Sequence, residues 1–260
     1  AYVGTASAAF DSVVAIDMAT ADVAAAYPVA FNIADLAVDP TGQRVYVART
    51  GAPGVDVLVI DATEGPIGAV DLSTAPGATA ACIHISPDGR QLYVAVRRPG
   101  GDTVMVIDSD LNLVDTVEVG ATIRDIAVSP DGGTVFVASC DRDLGGLVDI
   151  VDTRANVVVD KVEVGGLAMQ LTLSGDGSRA YLVTTDGVVV LCTRTHRVVG
   201  TIAVAASPSC AVESPDGNHL YIADHHGAVT AVPVAAPVAS LPAELVLDDI
   251  ATTPFELEPV

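Results

Sequence analysis

The chain has 260 residues, half of them apolar yet none of them tryptophan, and 33 acidic against 12 basic side chains give it a formal charge of −21. A field of that sign repels phosphate backbones, which argues against nucleic acid as a partner. The longest uncharged stretches, 198–212 and 227–243, are both broken by proline, so neither is the unbroken apolar run of about 20 residues that a membrane helix needs.

In chain order, the sequence opens on an aromatic–aliphatic pair, Tyr2-Val3, followed by an alternating segment at 12–17. Both reappear further on as the second and third strands of a repeat, so the N-terminus enters a unit whose first strand is absent. The first residue is Ala1, which reads as a trimmed or mature chain. From there a tetrad recurs: Asp-Pro-Thr-Gly at 39–42, Ser-Pro-Asp-Gly at 86–89 and 129–132, Ser-Gly-Asp-Gly at 174–177 and Ser-Pro-Asp-Gly at 214–217. A period of 40 to 47 residues falls in the range of propeller blades.

Each tetrad has the same surroundings. An alternating strand precedes it (33–38, 81–85, 124–128, 169–173, 210–213), and an aromatic–aliphatic pair follows it: Tyr46-Val47, Tyr93-Val94, Phe136-Val137, Tyr181-Leu182, Tyr221-Ile222. A loop of changing sequence leads to a third strand, and a short turn to a fourth. Strands of five to eight residues between Gly/Pro/Asp turns are an all-β pattern, and no segment carries a helical apolar period. Proline fixes φ at the first corner of the tetrad, aspartate bonds its own backbone, and glycine accepts positive φ. The expected fold is all-β: one domain over 1–260, a six-bladed propeller of four-stranded antiparallel blades. Residues 248–254 align with 34–40, so a C-terminal strand at about 247–254 is expected to supply the first blade's inner strand and close the ring. A seven-bladed parent is the alternative.

The Ser-Pro-Asp-Gly tetrad, its Tyr-Val pair, the V-x-V-I-D third strand and the T-V-x-V-G fourth strand together resemble the YVTN family of bacterial β-propellers. The resemblance covers nearly the whole chain and is specific for fold. It implies surface or exported proteins, lactonase-like hydrolases or companions of redox enzymes, and fold alone does not choose among them.

Candidate functional residues follow from the repeat. Four residues ahead of each tetrad, on the inner strand at the channel mouth, come Asp35, Cys82, Asp125, Gln170 and Cys210, with Asp249 in the tail; His84 interrupts an otherwise small or apolar register two residues later. Asp35, Asp125 and Asp249 can be read as a carboxylate ring for Ca²⁺, or as acceptors for backbone amides of a neighbouring blade. His84 with Cys82 is a ligand or nucleophile–base pair on one reading and a satisfied core pair on the other. The loops between second and third strands vary most and carry Arg49, Arg97, Arg98 and Arg142, with Arg124 opening an inner strand on the same side. Guanidinium forks suit carboxylate or phosphate; the competing reading pairs them with Asp102, Asp125, Asp141 and Asp143. His225-His226 is a weak metal signal without a third ligand. Four scattered cysteines, with no C-x-x-C, suggest neither a disulfide scaffold nor structural zinc. G-x-S-x-G, H-E-x-x-H and P-loop signatures are absent.

These observations together predict a non-enzymatic interaction or sensor module, extracellular or facing the cell envelope, with no cofactor. Its loop face would meet a protein or an anionic envelope ligand. A lactonase-type hydrolase at the channel mouth and an accessory subunit of an envelope or respiratory complex are the alternatives.

Overall fold

The computed structural model of the protein describes residues 1–5, 11–29, 32–51, 54–72, 74–204 and 207–234. The predicted closing strand at about 247–254, and Asp249 with it, lies outside the described residues. The chain divides into two compact units, Ala1–Ile123 and Arg124–Val260.

Six antiparallel sheets follow one another along the described residues. The first unit holds β1 (Tyr2–Thr5), β2 (Asp11–Ile16) and β3 (Val23–Val29); then β4 (Asn32–Val38), β5 (Arg44–Gly51), β6 (Gly54–Asp61) and β7 (Gly65–Asp71); then β8 (Thr79–Ile85), β9 (Gln91–Arg97), β10 (Thr103–Asp108) and β11 (Leu113–Glu118). The second unit's first sheet, whose opening strand spans the boundary, is β12 (Thr122–Val128), β13 (Thr134–Asp141), β14 (Gly145–Asp152) and β15 (Val157–Glu163). After it come β16 (Ala168–Leu173), β17 (Arg179–Thr184), β18 (Gly187–Cys192) and β19 (Arg197–Ile202), and last β20 (Pro208–Glu213), β21 (His219–Asp224) and β22 (Val229–Pro233). Strands pair in sequence order within every sheet, as tight turns between β-propensive Val/Ile segments require. Four sheets have four strands; the first and last have three among the described residues.

The tetrads form the turns between first and second strands. In four of them the serine hydroxyl works twice. At 129–132, Ser129 donates to Asp131 at 2.6 Å and accepts the Thr134 amide at 2.9 Å; Ser86, Ser174 and Ser214 repeat the pattern. In the first tetrad the roles are exchanged, and Asp39 accepts from Thr41 and from the Arg44 amide. The closing glycine sits at positive φ, and a side chain there would also collide: a Cβ on Gly177 would lie 2.7 Å from Pro130 of the preceding tetrad.

Sheets bury their faces on one another. In the first unit Tyr46, Val57 and Val59 pack with Ile83, Leu92, Val94 and Met105, while Val13 and Val29 pack with Val45, Val47 and Ile60. In the second, Phe136, Val148 and Ile150 meet Leu171, Leu182 and Leu191, and Tyr181, Val183 and Val188 meet Ala211, Leu220 and Ile222. Tyr46, Phe136 and Tyr181 thus fill the space between sheets that Val and Ala leave open, whereas Tyr221 of the last sheet is 42% exposed. A carboxylate also lies within this core. Asp149, wholly buried on β14, accepts from Ser139 on Oδ2 and faces the Lys161 ammonium on Oδ1, both at 2.8 Å.

Two predictions follow from these contacts. Lys161→Met leaves a buried carboxylate uncompensated, so unfolding in urea should show a loss of about 3 kcal/mol, while Lys161→Arg should recover most of it. The tetrad carboxylates titrate low because of their turns: serine hydroxyl bonds, then backbone amides, hold Asp88, Asp131 and Asp176 below the usual range and Asp216 down to about 2. Their contribution is present above the unfolded-state value near 4 and is lost as pH falls through the folded-state values. Stability measured at pH 5, 4, 3 and 2 should therefore drop below pH 4, and Ser→Ala at 86, 129 and 174 should flatten that drop.

Candidate functional site

Inner strands place the polar register of the repeat. On four of them the pairing slips by one residue at the same point, between Ile33 and Asp35, Ala80 and Cys82, Ala168 and Gln170, and Pro208 and Cys210. This β-bulge releases one side chain from the ladder and re-aims it. The released residues are Ala34, Ala81, Met169 and Ser209; Arg124 has the same place in the repeat.

The next residue along reaches the following sheet. Asp35 Oδ2 accepts the Ile83 amide at 3.0 Å, Asp125 Oδ2 the Leu171 amide at 2.8 Å, and Gln170 Oε1 the Ala211 amide at 2.9 Å. In each case the donor lies one position past the equivalent residue of the next repeat. The other oxygen of Asp35 takes its own Leu36 amide, and that of Asp125 its own Ile126 amide. These side chains clamp sheet to sheet, and of the two readings open in the sequence the amide-acceptor one matches the geometry. Among the described residues no three His, Cys, Asp or Glu side chains stand together as cation ligands.

The five arginines separate into two groups. Arg49 is buried and forms a two-pronged ion pair with Asp56, its cross-strand partner. Arg97 donates to the Ile123 carbonyl at 3.2 and 3.3 Å. Arg98 donates to both Glu118 oxygens at 2.9 and 2.8 Å and to the Gly101 carbonyl. Arg49, Arg97 and Arg98 are therefore occupied as ligand forks, and their partners differ from those expected. Asp102 instead takes the amides of Arg98 and Ile123. Glu118, on an outer strand, reaches the loop face because its strand ends there. Arg124 and Arg142 are exposed, with no partner among the described residues.

The remaining candidates stay apart. His84 is half-buried opposite Tyr93 on β9. Cys82 is buried, Cys210 exposed, and all four cysteines are free. His225 and His226 sit exposed in a turn closed by Asp224, which accepts the His226 and Ala228 amides. A groove of about 380 Å³ lies between β1 and β4, lined by Tyr2, Gly4, Asp11, Ile33, Asp35 and Leu36. Its two carboxylates each hold a backbone amide, Asp11 that of Ile33 and Asp35 that of Ile83.

Comparison with known proteins places this geometry. Residues 35–157 match a family described as "Lactonase, 7-bladed beta-propeller". The seven-bladed beta-propeller protein Rv1057 of Mycobacterium tuberculosis is 42% identical, over 95% of this chain and 71% of the relative. The chain belongs to the lactonase-like β-propeller family. Its architecture is an all-β propeller of four-stranded antiparallel sheets; six sheets are seen among the described residues, and both family and relative carry seven in their names. Among solved structures, Kuenenia stuttgartiensis hydrazine synthase aligns with a TM-score of 0.72 at 22% identity, covering 85% of this chain and 70% of that one. The Cps50 (Swd1) β-propeller domain of Myceliophteria thermophila aligns at 0.68 and 14%, covering 91% and 80%. At these identities both share the fold alone.

The clamp makes a direct prediction. Asp125→Ala strands the Leu171 and Ile126 amides, so denaturant unfolding should lose about 1–3 kcal/mol, whereas Asp125→Asn keeps an acceptor and should lose less. Added Ca²⁺ should leave the melting temperature of the parent protein unchanged, since a ligand that binds only the folded state would raise it.

Proposed function

We infer that this member of the lactonase-like family is a non-enzymatic interaction module, acting at the cell envelope or outside it, and that it presents its loop face to a protein or an anionic envelope component. One observation carries the reading: Asp35, Asp125 and Gln170, the polar inner-strand residues that the repeat offers for chemistry, already hold backbone amides. The loop face of the second unit is different in kind. There the Gly146 amide donates to the Gly166 carbonyl at 2.7 Å, which sets the loop bearing Leu144 beside the loop bearing Leu167. Leu144 and Leu167 are half exposed, and Met169 follows on the β16 bulge. Arg124 on β12 and Arg142 in the loop that bears Leu144 belong to the first sheet of this unit. Apolar side chains with two guanidinium groups, on loops of variable sequence over a rigid scaffold, suit partner recognition. The repeat signature further favours the YVTN branch of surface and exported propellers.

Lactone hydrolysis is the second reading, favoured by the family description over 35–157. A five- or six-membered lactone offered with and without Ca²⁺ separates the two, and the expected rate is that of the buffer. Arg124→Ala with Arg142→Ala should weaken capture of a partner from the native envelope about tenfold or more, since each charge-assisted contact contributes about 1.5–3 kcal/mol. Melting temperature should hardly move. Arg154→Ala with Arg194→Ala, in turns of the opposite face, is the matched control; equal loss there would place the interaction surface on the wrong side.

A further inference from the structure

Where glycine follows aspartate, the glycine nitrogen is shielded by no side chain and can close on the aspartyl Cγ. The sequence holds five such bonds, at 88–89, 131–132, 176–177, 186–187 and 216–217. Four lie in the tetrads, and each is held in three ways. The glycine amide donates to the serine carbonyl at 2.8–2.9 Å. The carboxylate accepts the serine hydroxyl, and it also accepts the amide two residues on, as Asp131 does from Gly133 at 3.0 Å and Asp176 from Ser178 at 2.9 Å. These bonds keep the tetrad carboxyls ionised, and an ionised carboxylate is a poor electrophile.

The fifth bond stands in a different setting. Asp186 is exposed at the tip of the β17–β18 hairpin, where Thr184 and Gly187 pair as the last rung of the ladder. End rungs open more readily than interior ones. Among the described residues the Asp186 carboxylate has one hydrogen-bond donor, the Thr185 hydroxyl at 3.4 Å. Packing also keeps the glycine in place: Gly187 has φ 145°, and a Cβ there would lie 2.6 Å from the Ile202 carbonyl oxygen.

We propose that Asp186–Gly187 is a self-modification site, at which this chain isomerises to isoaspartate ahead of its four tetrads. The Gly187 nitrogen bonds to Asp186 Cγ, its proton and the carboxyl oxygen leave as water, and a succinimide ring forms. Water then adds to either ring carbonyl. Opening at the α-carbonyl leaves a free α-carboxylate and a main chain that runs through the side chain, one methylene longer. The net reaction consumes nothing.

The longer tip acts on its neighbour. The Thr185 amide donates to the Leu167 carbonyl and the Leu167 amide to the Thr185 hydroxyl, both at 3.2 Å. The Asp186 carboxylate lies over Gly166, where a Cβ would come within 3.0 Å of it. A methylene inserted between Asp186 and Gly187 cannot keep the last rung and both Thr185 bonds together, so it loosens the loop that carries Leu167. The chemistry does not depend on what that loop binds.

Held folded in neutral buffer, the full chain should gain isoaspartate at 186 about tenfold faster than at 88, 131, 176 or 216, since each tetrad must first give up hydrogen bonds that Asp186 lacks. Peptide mapping, which separates the isomers at equal mass, reads the rates. In urea all five sites should react at similar rates, which assigns the difference to the fold. Asp186→Glu, whose longer side chain closes a larger ring slowly, should block the reaction and leave the melting temperature unchanged. In isomerised chains the Leu167 amide should exchange hydrogen faster than in fresh protein. Isoaspartate that appears first at a tetrad, evenly at all five sites of the folded chain, or as unequally in urea as in buffer would overturn the proposal. Unchanged exchange at Leu167 would overturn its coupling to the loop.

Discussion

A sheet made almost wholly of valine, isoleucine, leucine and alanine is apolar on both faces, and this demand for cover on both sides governs the rest of the structure. One sheet alone satisfies half of it at most. Stacking the sheets satisfies the whole, but the β-branched side chains that favour strands are too short to fill the space between twisted sheets. A buried ring fills it in four of the repeats, Tyr46, Tyr93, Phe136 and Tyr181, each at the same place after its tetrad. Burial of such a side chain contributes about 1.5–3 kcal/mol.

Apolar contact does not set registry, since valine against isoleucine tolerates sliding. The clamps do. A carboxylate or carboxamide at the inner edge of one sheet reaches a single amide of the next, and a bulge beside it frees the backbone to present both. Asp35, Asp125 and Gln170 thus serve the stacking of the sheets, each by holding one backbone amide of the next.

The fold was legible because its determinants are local. Serine, aspartate and glycine of a tetrad interact within five residues, and a period repeated five times is hard to mistake. The site was less so because its determinants are distant. Asp35 and Ile83 are 48 positions apart, Asp125 and Leu171 46, and Gln170 and Ala211 41. The repeat places these side chains on the inner strands, yet which amide each one meets is decided by the stacking of one sheet on the next. Arg98 was expected to find an aspartate in its own loop; its partner is Glu118, 20 residues on, because β10 and β11 form a hairpin that returns to the same edge. Asp149 gave no signal at all. It stands where the other third strands carry Leu58 or Met105, and its partner is a lysine from the outer strand.

The charge of −21 invites a functional explanation, but most of the aspartates have a local one. Beyond the tetrads, Asp61 accepts the amides of Thr63 and Glu64, Asp108 those of Asp110 and Asn112, Asp141 those of Asp143 and Leu144, and Asp152 those of Arg154 and Ala155. A four-stranded repeat needs a turn about every ten residues, and among the described residues aspartate closes many of them. Its acidity is thus a by-product of turn chemistry, and says little about what it binds. The field is nonetheless real. An anionic group approaching the loop face gains nothing from long-range steering and must be held by short contacts from which water is excluded. That condition favours a surface that sets exposed apolar side chains beside a basic group over one of basic groups alone.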